Sequence, residues 1–223
     1  MRREKIQPRS GWQERLEKIG FDFYVLDGKT YWNENACYAF SADEIDELEA
    51  STEELHKLAL QAVEHVVSNR LWERMRIPPT WSEYIESVWR RSDPTIYGRF
   101  DLAYDGKGPP KLLEYNADTP TALYEAAVVQ WYWLKDVKPA ANQFNSIHER
   151  LIEAWRSLLA RLPPEGTVHF ARFEESPEDL ATSEYLRDTA LQAGLAGKPL
   201  PVSQIGWNGQ RFTDPDEMPI QVL

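Results

Sequence analysis

Between Tyr97 and Asn116 the chain reads as two alternating runs separated by a Gly/Pro cluster, and no other stretch limits the possible folds as much. Tyr97 to Tyr104 and Lys111 to Asn116 flank Asp105-Gly-Lys-Gly-Pro-Pro110, the pattern of a β-hairpin with a longer loop. Alternate side chains of a strand share a face. Arg99 and Asp101 therefore point one way, with Phe100, Leu102 and Tyr104 on the other side. On the return strand Glu114 and Asn116 share a face, backed by Leu113 and Tyr115.

Pairing Tyr104 with Lys111 sets Asp101 opposite Glu114 and Arg99 opposite Asn116, all four on one face. Two carboxylates directly across a ladder repel unless something positive lies between them. A divalent cation is the natural filler, and Asp, Glu and an Asn carbonyl with room for waters suit Mg2+ better than zinc. Arg99 beside that cation can fork onto a phosphate oxygen. The same residues also fit the ordinary polar face of a half-exposed hairpin, with Asp101 paired to Arg99. The continuation favours the cation, because Thr119-Pro120 reads as the N-cap and first position of a helix whose N-terminus can receive an anion. Lys107 lies in the Gly/Pro turn, which lacks the spacing of a phosphate-binding loop.

The string from Tyr97 to Trp133 closely resembles the core of the glutathionylspermidine synthase family, ATP-grasp-type ligases that join a carboxylic acid to an amine, and in particular its bacterial acid–amine ligase branch. The family's Arg-x-Asp followed by Glu-x-Asn matches Arg99-Phe100-Asp101 and Glu114-Tyr115-Asn116. The resemblance implies that Arg99 contacts nucleotide phosphate or an acyl phosphate as the catalytic residue. It implies that Arg99, Phe100 and Asp101 hold the cofactor ATP and that Asp101, Glu114 and Asn116 ligate Mg2+. Hydroxyl residues that touch a thiol-peptide substrate in the synthases correspond to Thr119 and Thr121, with threonine in place of serine. An acidic substrate-binding pair corresponds to Glu178 and Asp179, which are also ideal first-turn helix residues and are read here first as such.

The fold implied is mixed α/β (α+β): the pre-ATP-grasp-like N-terminal portion of such a ligase, with an antiparallel hairpin site and a βαβ unit. The activity implied is amide formation between a peptide-like carboxylate and an amine, a polyamine among the candidates, through an acyl phosphate. Relatives continue past Leu223 into the ATP-grasp lysines, so the chain reads as truncated and inactive alone. A non-catalytic interaction or regulatory domain derived from this fold is the alternative. A glycosidase is disfavoured, because direct cross-strand carboxylates sit too close for an inverting pair.

With 25 basic and 36 acidic residues the net charge is −11, which argues against nucleic acid and anionic membranes and is compatible with a cationic partner. The partners expected are small-molecule acid and amine substrates. One cysteine, Cys37, excludes an internal disulfide. No signal-peptide pattern follows Met1-Arg-Arg-Glu-Lys, and the expected location is cytoplasmic.

Two segments are expected, 1–140 with a helical block, the site hairpin and a buried helix, and 141–223 with the βαβ unit, incomplete at its end. Ser10 opens a helix closed by Gly20, and Phe21 to Leu26 reads as a strand turned by Asp27-Gly28. Ser41-Ala-Asp-Glu44 is a capping box, and Thr52 starts a second helical run with one buried face, Leu55, Leu58, Ala62 and Val63 among it. His56 and His65, nine positions apart, read as structural or solvated. Pro78-Pro79 ends that block and Thr80 caps the next helix. The run behind Pro120, from Ala122 to Trp133, is apolar nearly all round and is expected to be buried on every face. After a helix from Asn145 to Leu162, punctuated by Pro163-Pro-Glu-Gly166, Val168 to Phe173 reads as a strand, Ser176 to Gly194 as a helix and Pro201 to Ile205 as a parallel strand. Asn208-Gly209 turns a last hairpin, and Pro219 to Leu223 reads as an unpaired apolar edge.

Overall fold

A computed structural model describes residues 1–118, 120–162 and 166–223. In chain order the elements are β1 (Arg2–Lys5), α1 (Trp12–Lys18), β2 (Val25–Leu26), β3 (Lys29–Thr30), β4 (Ala36–Ala39), α2 (Ala42–Ser68), α3 (Pro79–Arg91), β5 (Arg99–Ala103) and β6 (Lys111–Asn116). A π-helical turn (Glu125–Val129) then leads into α4 (Gln130–Val137), α5 (Ile147–Leu159), β7 (Thr167–Arg172), α6 (Pro177–Gln192), β8 (Ala196–Pro201), β9 (Gly206–Trp207) and β10 (Phe212–Thr213). The chain groups into two compact units, Met1–Arg2 with Tyr38–Asn116 and Arg3–Cys37 with Ala117–Leu223, so residue 140 lies inside the second.

In the first unit the capping box forms as expected: Glu44 N donates to Ser41 Oγ at 3.3 Å and Ser41 N to Glu44 Oε2 at 2.8 Å. α2 then runs unbroken. Thr52 starts no second helix, because its hydroxyl bonds back to Leu48 O at 2.7 Å and leaves the helical backbone intact. Nor is the face of this run buried. Val67 is its one buried residue, while Leu58 and Val63 are 52% and 42% exposed. Periodicity specifies which residues share a face and says nothing of what covers it. Pro79 opens α3 at its first position instead of closing the preceding block, since a proline there loses no helical hydrogen bond. Pro78, not Thr80, is its N-cap, and Trp89 Nε1 donates to Glu64 Oε2 at 2.6 Å to tie α3 to α2.

The second unit holds the core. Leu16, Phe21, Phe23 and Val129 cluster, with the two phenylalanine rings 4.4 Å apart. α1 starts after Gly11 in the left-handed region, with no side-chain cap, so Ser10 does not open it. Only Val25–Leu26 of the expected strand pairs, across a two-residue turn of Asp27 and Gly28, both at positive φ. Phe21 and Phe23 lie outside the ladder and go into the core.

β7 and β8 pair in parallel, Val168 opposite Gly197, with α6 as their connection: the expected βαβ unit. Ser176 Oγ accepts from Asp179 N at 3.1 Å to open α6, and Gly194 follows its end at φ 96°. The second strand comes earlier than expected, ending at Pro201, and Val202–Gln204 is a 3-10 turn. Asn208 and Gly209 do lie in the turn between β9 and β10. The last residues are not an unpaired edge. Val222 bridges Val168 in parallel, with His169 N donating to Val222 O at 2.9 Å, and Pro219 bridges Thr213.

Behind Pro120 the helix departs from expectation. Thr119 lies outside the described residues, Ala122 sits at φ 65°, and helical backbone begins at Leu123, so Pro120 does not hold the first position. Leu123, Ala127 and Val129 are buried, whereas Trp131 and Tyr132 are 37% and 45% exposed. The helix is thus not buried all round, because the π turn intervenes between the two halves of the run.

Candidate functional site

Arg99 pairs with Asn116, Phe100 with Tyr115 and Asp101 with Glu114, the cross-strand arrangement the sequence points to. Beyond them the register shifts, and Leu102 opposes Leu112 and Ala103 opposes Lys111. Tyr104 therefore does not pair with Lys111. Leu113 is the extra residue of a β-bulge, 69% exposed, and the strand ends one residue early. The bulge lies to one side of the four polar residues, so they keep one face.

On that face the Arg99 guanidinium forks onto Asp101, Nε to Oδ1 at 2.8 Å and Nη2 to Oδ2 at 3.3 Å. The side chains are 35% and 39% exposed. The charge of one of the two facing carboxylates is thereby neutralised within the hairpin. Among the described residues no group of three or more His, Cys, Asp and Glu is placed to hold a metal ion. The hairpin instead brings together two carboxylates and the Asn116 amide, an oxygen donor set of the kind Mg2+ takes with waters completing its shell.

The opposite face is aromatic. Phe100 and Tyr115 stack, with centroids 3.9 Å apart and planes at 20°. Tyr115 Oη lies 3.0 Å from Nδ1 of His56 on α2, and Tyr104 Oη donates to Glu47 of α2 at 3.3 Å. Gly98 is required by this packing: a Cβ there would stand 2.9 Å from Tyr115 Cε2. His56, read from the sequence as structural or solvated, makes this side-chain contact behind the hairpin. The aromatic at the middle of Glu-x-Asn was the one available signal for that contact.

The other candidate residues belong to the second unit. Thr121 is half-buried, and Asp179 serves through its backbone in the Ser176 cap. Glu178 does more than cap. Its Oε1 accepts at 3.0 Å from the Tyr31 hydroxyl, which also lies 2.6 Å from Oε1 of Glu125. Burial first, then the two carboxylates, push the Tyr31 phenol up. Glu125 is 7% exposed, and only its place in an apolar run hinted that it is special.

Asp214, also unforeseen, is buried beneath β7 and β8. It accepts from Lys198 Nζ at 2.5 Å, from the backbone of Asp216 and Met218 at 3.0 Å each, and lies 3.3 Å from Nε2 of buried His169. Lys198 first, and then these donors, hold its carboxyl well below the usual range. A cavity of about 580 Å³ is lined by Arg9, Gly11, Arg15, Tyr132 and Asp136 among others and includes no hairpin residue. Arg9 and Arg15 already pair there with Asp136 at 2.9 and 3.3 Å. No described helix is long and apolar enough to cross a membrane.

The sequence of residues 3–223 matches the family described as "Glutathionylspermidine synthase preATP-grasp". A Haemophilus influenzae protein named "Putative acid--amine ligase" is 38% identical over 218 residues, 94% of this chain and 55% of the relative. Trypanothione synthetase of Crithidia fasciculata is 26% identical over 83% of this chain, and glutathionylspermidine synthase of the same organism 27% over 73%. The chain spans about half the length of the first relative and about a quarter of the other two. It belongs to the glutathionylspermidine synthase family.

Proposed function

We propose that, as a member of this family, the chain contributes the phosphate- and Mg2+-binding hairpin of an ATP-dependent acid–amine ligase. The observation that carries this reading is the placement of Arg99, Asp101, Glu114 and Asn116 on one face of one hairpin. Asp101, Glu114 and Asn116 would hold Mg2+, which when bound supplies positive charge to phosphate oxygens. In the Arg99–Asp101 fork each group satisfies the other. With a triphosphate bound, Arg99 would exchange Asp101 for a phosphate oxygen, for which its fork is equally suited, and leave Asp101 to the cation. Arg99 would then neutralise charge on the γ-phosphoryl group as the acid's carboxylate takes it from ATP, with ADP leaving, to give an acyl phosphate. The amine then displaces phosphate to give the amide. Thr119, Thr121, Glu178 and Asp179 are the positions proposed, from the family pattern, to contact the acid and the amine.

A second reading, a non-catalytic interaction domain, draws on the apolar residues that the first unit exposes, Leu58, Val63, Trp81 and Tyr84 among them. A thermal-shift titration of MgATP on residues 1–223 and on a longer form separates the two. Stabilisation of the longer form by MgATP, lost in Asp101→Asn, supports the ligase. No shift in either form supports the interaction domain.

A further inference from the structure

We infer that His56 and Tyr115 are positioning residues for the cation-binding face of the hairpin, an inference that rests on the function proposed above. Tyr115 lies between Glu114 and Asn116 in sequence, and Phe100 lies between Arg99 and Asp101. Strand alternation puts these two rings on the face opposite the four polar side chains. They pair directly across the ladder and stack at 3.9 Å, so each strand's twist is keyed to the other at the register where the polar residues project.

The stack is in turn held in place. Nδ1 of His56 lies 3.0 Å from Tyr115 Oη, the two rings meet edge to face, and the absence of a side chain at Gly98 lets the Tyr115 ring lie against the backbone. α2 is a rigid support for this contact, a single helix from Ala42 to Ser68 with a closed capping box. A bulge follows immediately beyond Asp101, where the ladder changes register. The ladder bonds beyond Leu102 follow another register, which leaves the aromatic stack and its histidine to fix the angle between the two acids. Loss of the Tyr115 hydroxyl or of the imidazole lets the acids drift apart while chemistry at a filled site stays unchanged. The consequence is weaker metal binding, as when an outer partner of a metal ligand is removed.

The test uses the full-length protein and Mn2+ as the probe, with its dissociation constant read by electron paramagnetic resonance beside the Mg2+ concentration that half-saturates ATP turnover. His56→Ala and Tyr115→Phe should each weaken Mn2+ about fivefold, the effect of one lost hydrogen bond, with kcat at saturating Mg2+ unchanged within about twofold. The double variant should be no worse than the poorer single one, because both remove the same bond. His56→Gln, which keeps a polar group near the hydroxyl, should recover most of the affinity. Gly98→Ala should act in the same direction by displacing the Tyr115 ring. A purely structural role would lower kcat and active fraction at every Mg2+ concentration, and that result, or additive single effects, overturns the inference. Asp101→Asn separates the two levels of argument. If it weakens Mn2+ while the His56 and Tyr115 variants do not, the positioning role falls and the cation site stands. If Asp101→Asn leaves Mn2+ binding intact, both fall.

Discussion

The two units of the molecule are stabilised differently. In the second unit Phe21, Leu16, Leu200 and Val129 are fully buried, and Trp155 sits against Phe170 with its Nε1 donating to Thr189 at 3.0 Å. In the first unit Val67 is the one buried hydrophobic residue among those described. What organises it is a set of polar and aromatic fastenings: the Ser41 and Glu44 box, Trp89 on Glu64, Tyr104 on Glu47 and His56 on Tyr115. A site built on such a unit is positioned by directional contacts, each worth little, whereas the second unit gains stability from non-directional burial. Substitutions should therefore separate cleanly into those that cost stability and those that cost function.

The strongest challenge to that contrast is Phe21→Ala. The ring is fully buried between Phe23, Tyr31 and Trp32, and its loss should cost about 3–5 kcal/mol in denaturant unfolding. A cost below about 1 kcal/mol would show that the second unit is no better packed than the first. Next, under the function proposed above, come Asp101→Asn and Arg99→Ala, each expected to lower ATP-dependent turnover by roughly 10²-fold or more with the melting temperature nearly unchanged. Near-wild-type turnover in either removes the role proposed for the hairpin face. Ser41→Ala should cost about 1 kcal/mol, the usual price of an N-cap, and should act on the first unit alone. Hydrogen exchange along α2 locates that loss, and uniform loss across both units would show them to be one cooperative block.

The smallest effect is a slope. Asp214 has its native pKa depressed, so the unfolded chain binds the proton more readily. Its contribution is complete well above the unfolded carboxyl value near 3.9 and is lost as pH falls through that value toward the native one. Stability measured from about pH 5 downward should therefore fall less steeply in Asp214→Asn than in the wild type. An unchanged slope would mean that Lys198 finds equal compensation in Asp216, to which it also bonds.

The sequence made the site's face legible because strand alternation and one turn are enough to set it, and the Asp101 to Glu114 pairing needs no knowledge of the rest of the chain. The bulge at Leu113 was hidden, since Lys111-Leu-Leu-Glu114 contains nothing that distinguishes a bulged leucine from a paired one. Capping chemistry was equally readable at Ser41 and Ser176, where a side chain and a backbone group three residues apart suffice. Failures came where the outcome depends on distant neighbours. The apolar stripe of α2 predicted a buried face that this unit does not cover, and nothing local announced that Tyr31 would meet Glu125 and Glu178.

The π turn at Glu125–Val129 bears on how this region tolerates insertions and deletions. Each residue of an α-helix advances the azimuth by about 100°, and a π turn accommodates one residue more than an α turn of the same rise. The side chains before and after it are consequently out of phase, Glu125 turned inward toward Tyr31 while Trp131 and Tyr132 emerge at the surface. Removing one residue, Ala126 for example, would let the segment relax to a continuous α-helix with Glu125 and the downstream aromatics keeping their faces, whereas straightening the turn without a deletion would swing Trp131 and Tyr132 by about 100° relative to Glu125. A single-residue gap here would therefore keep both the helix and the side chains it turns inward.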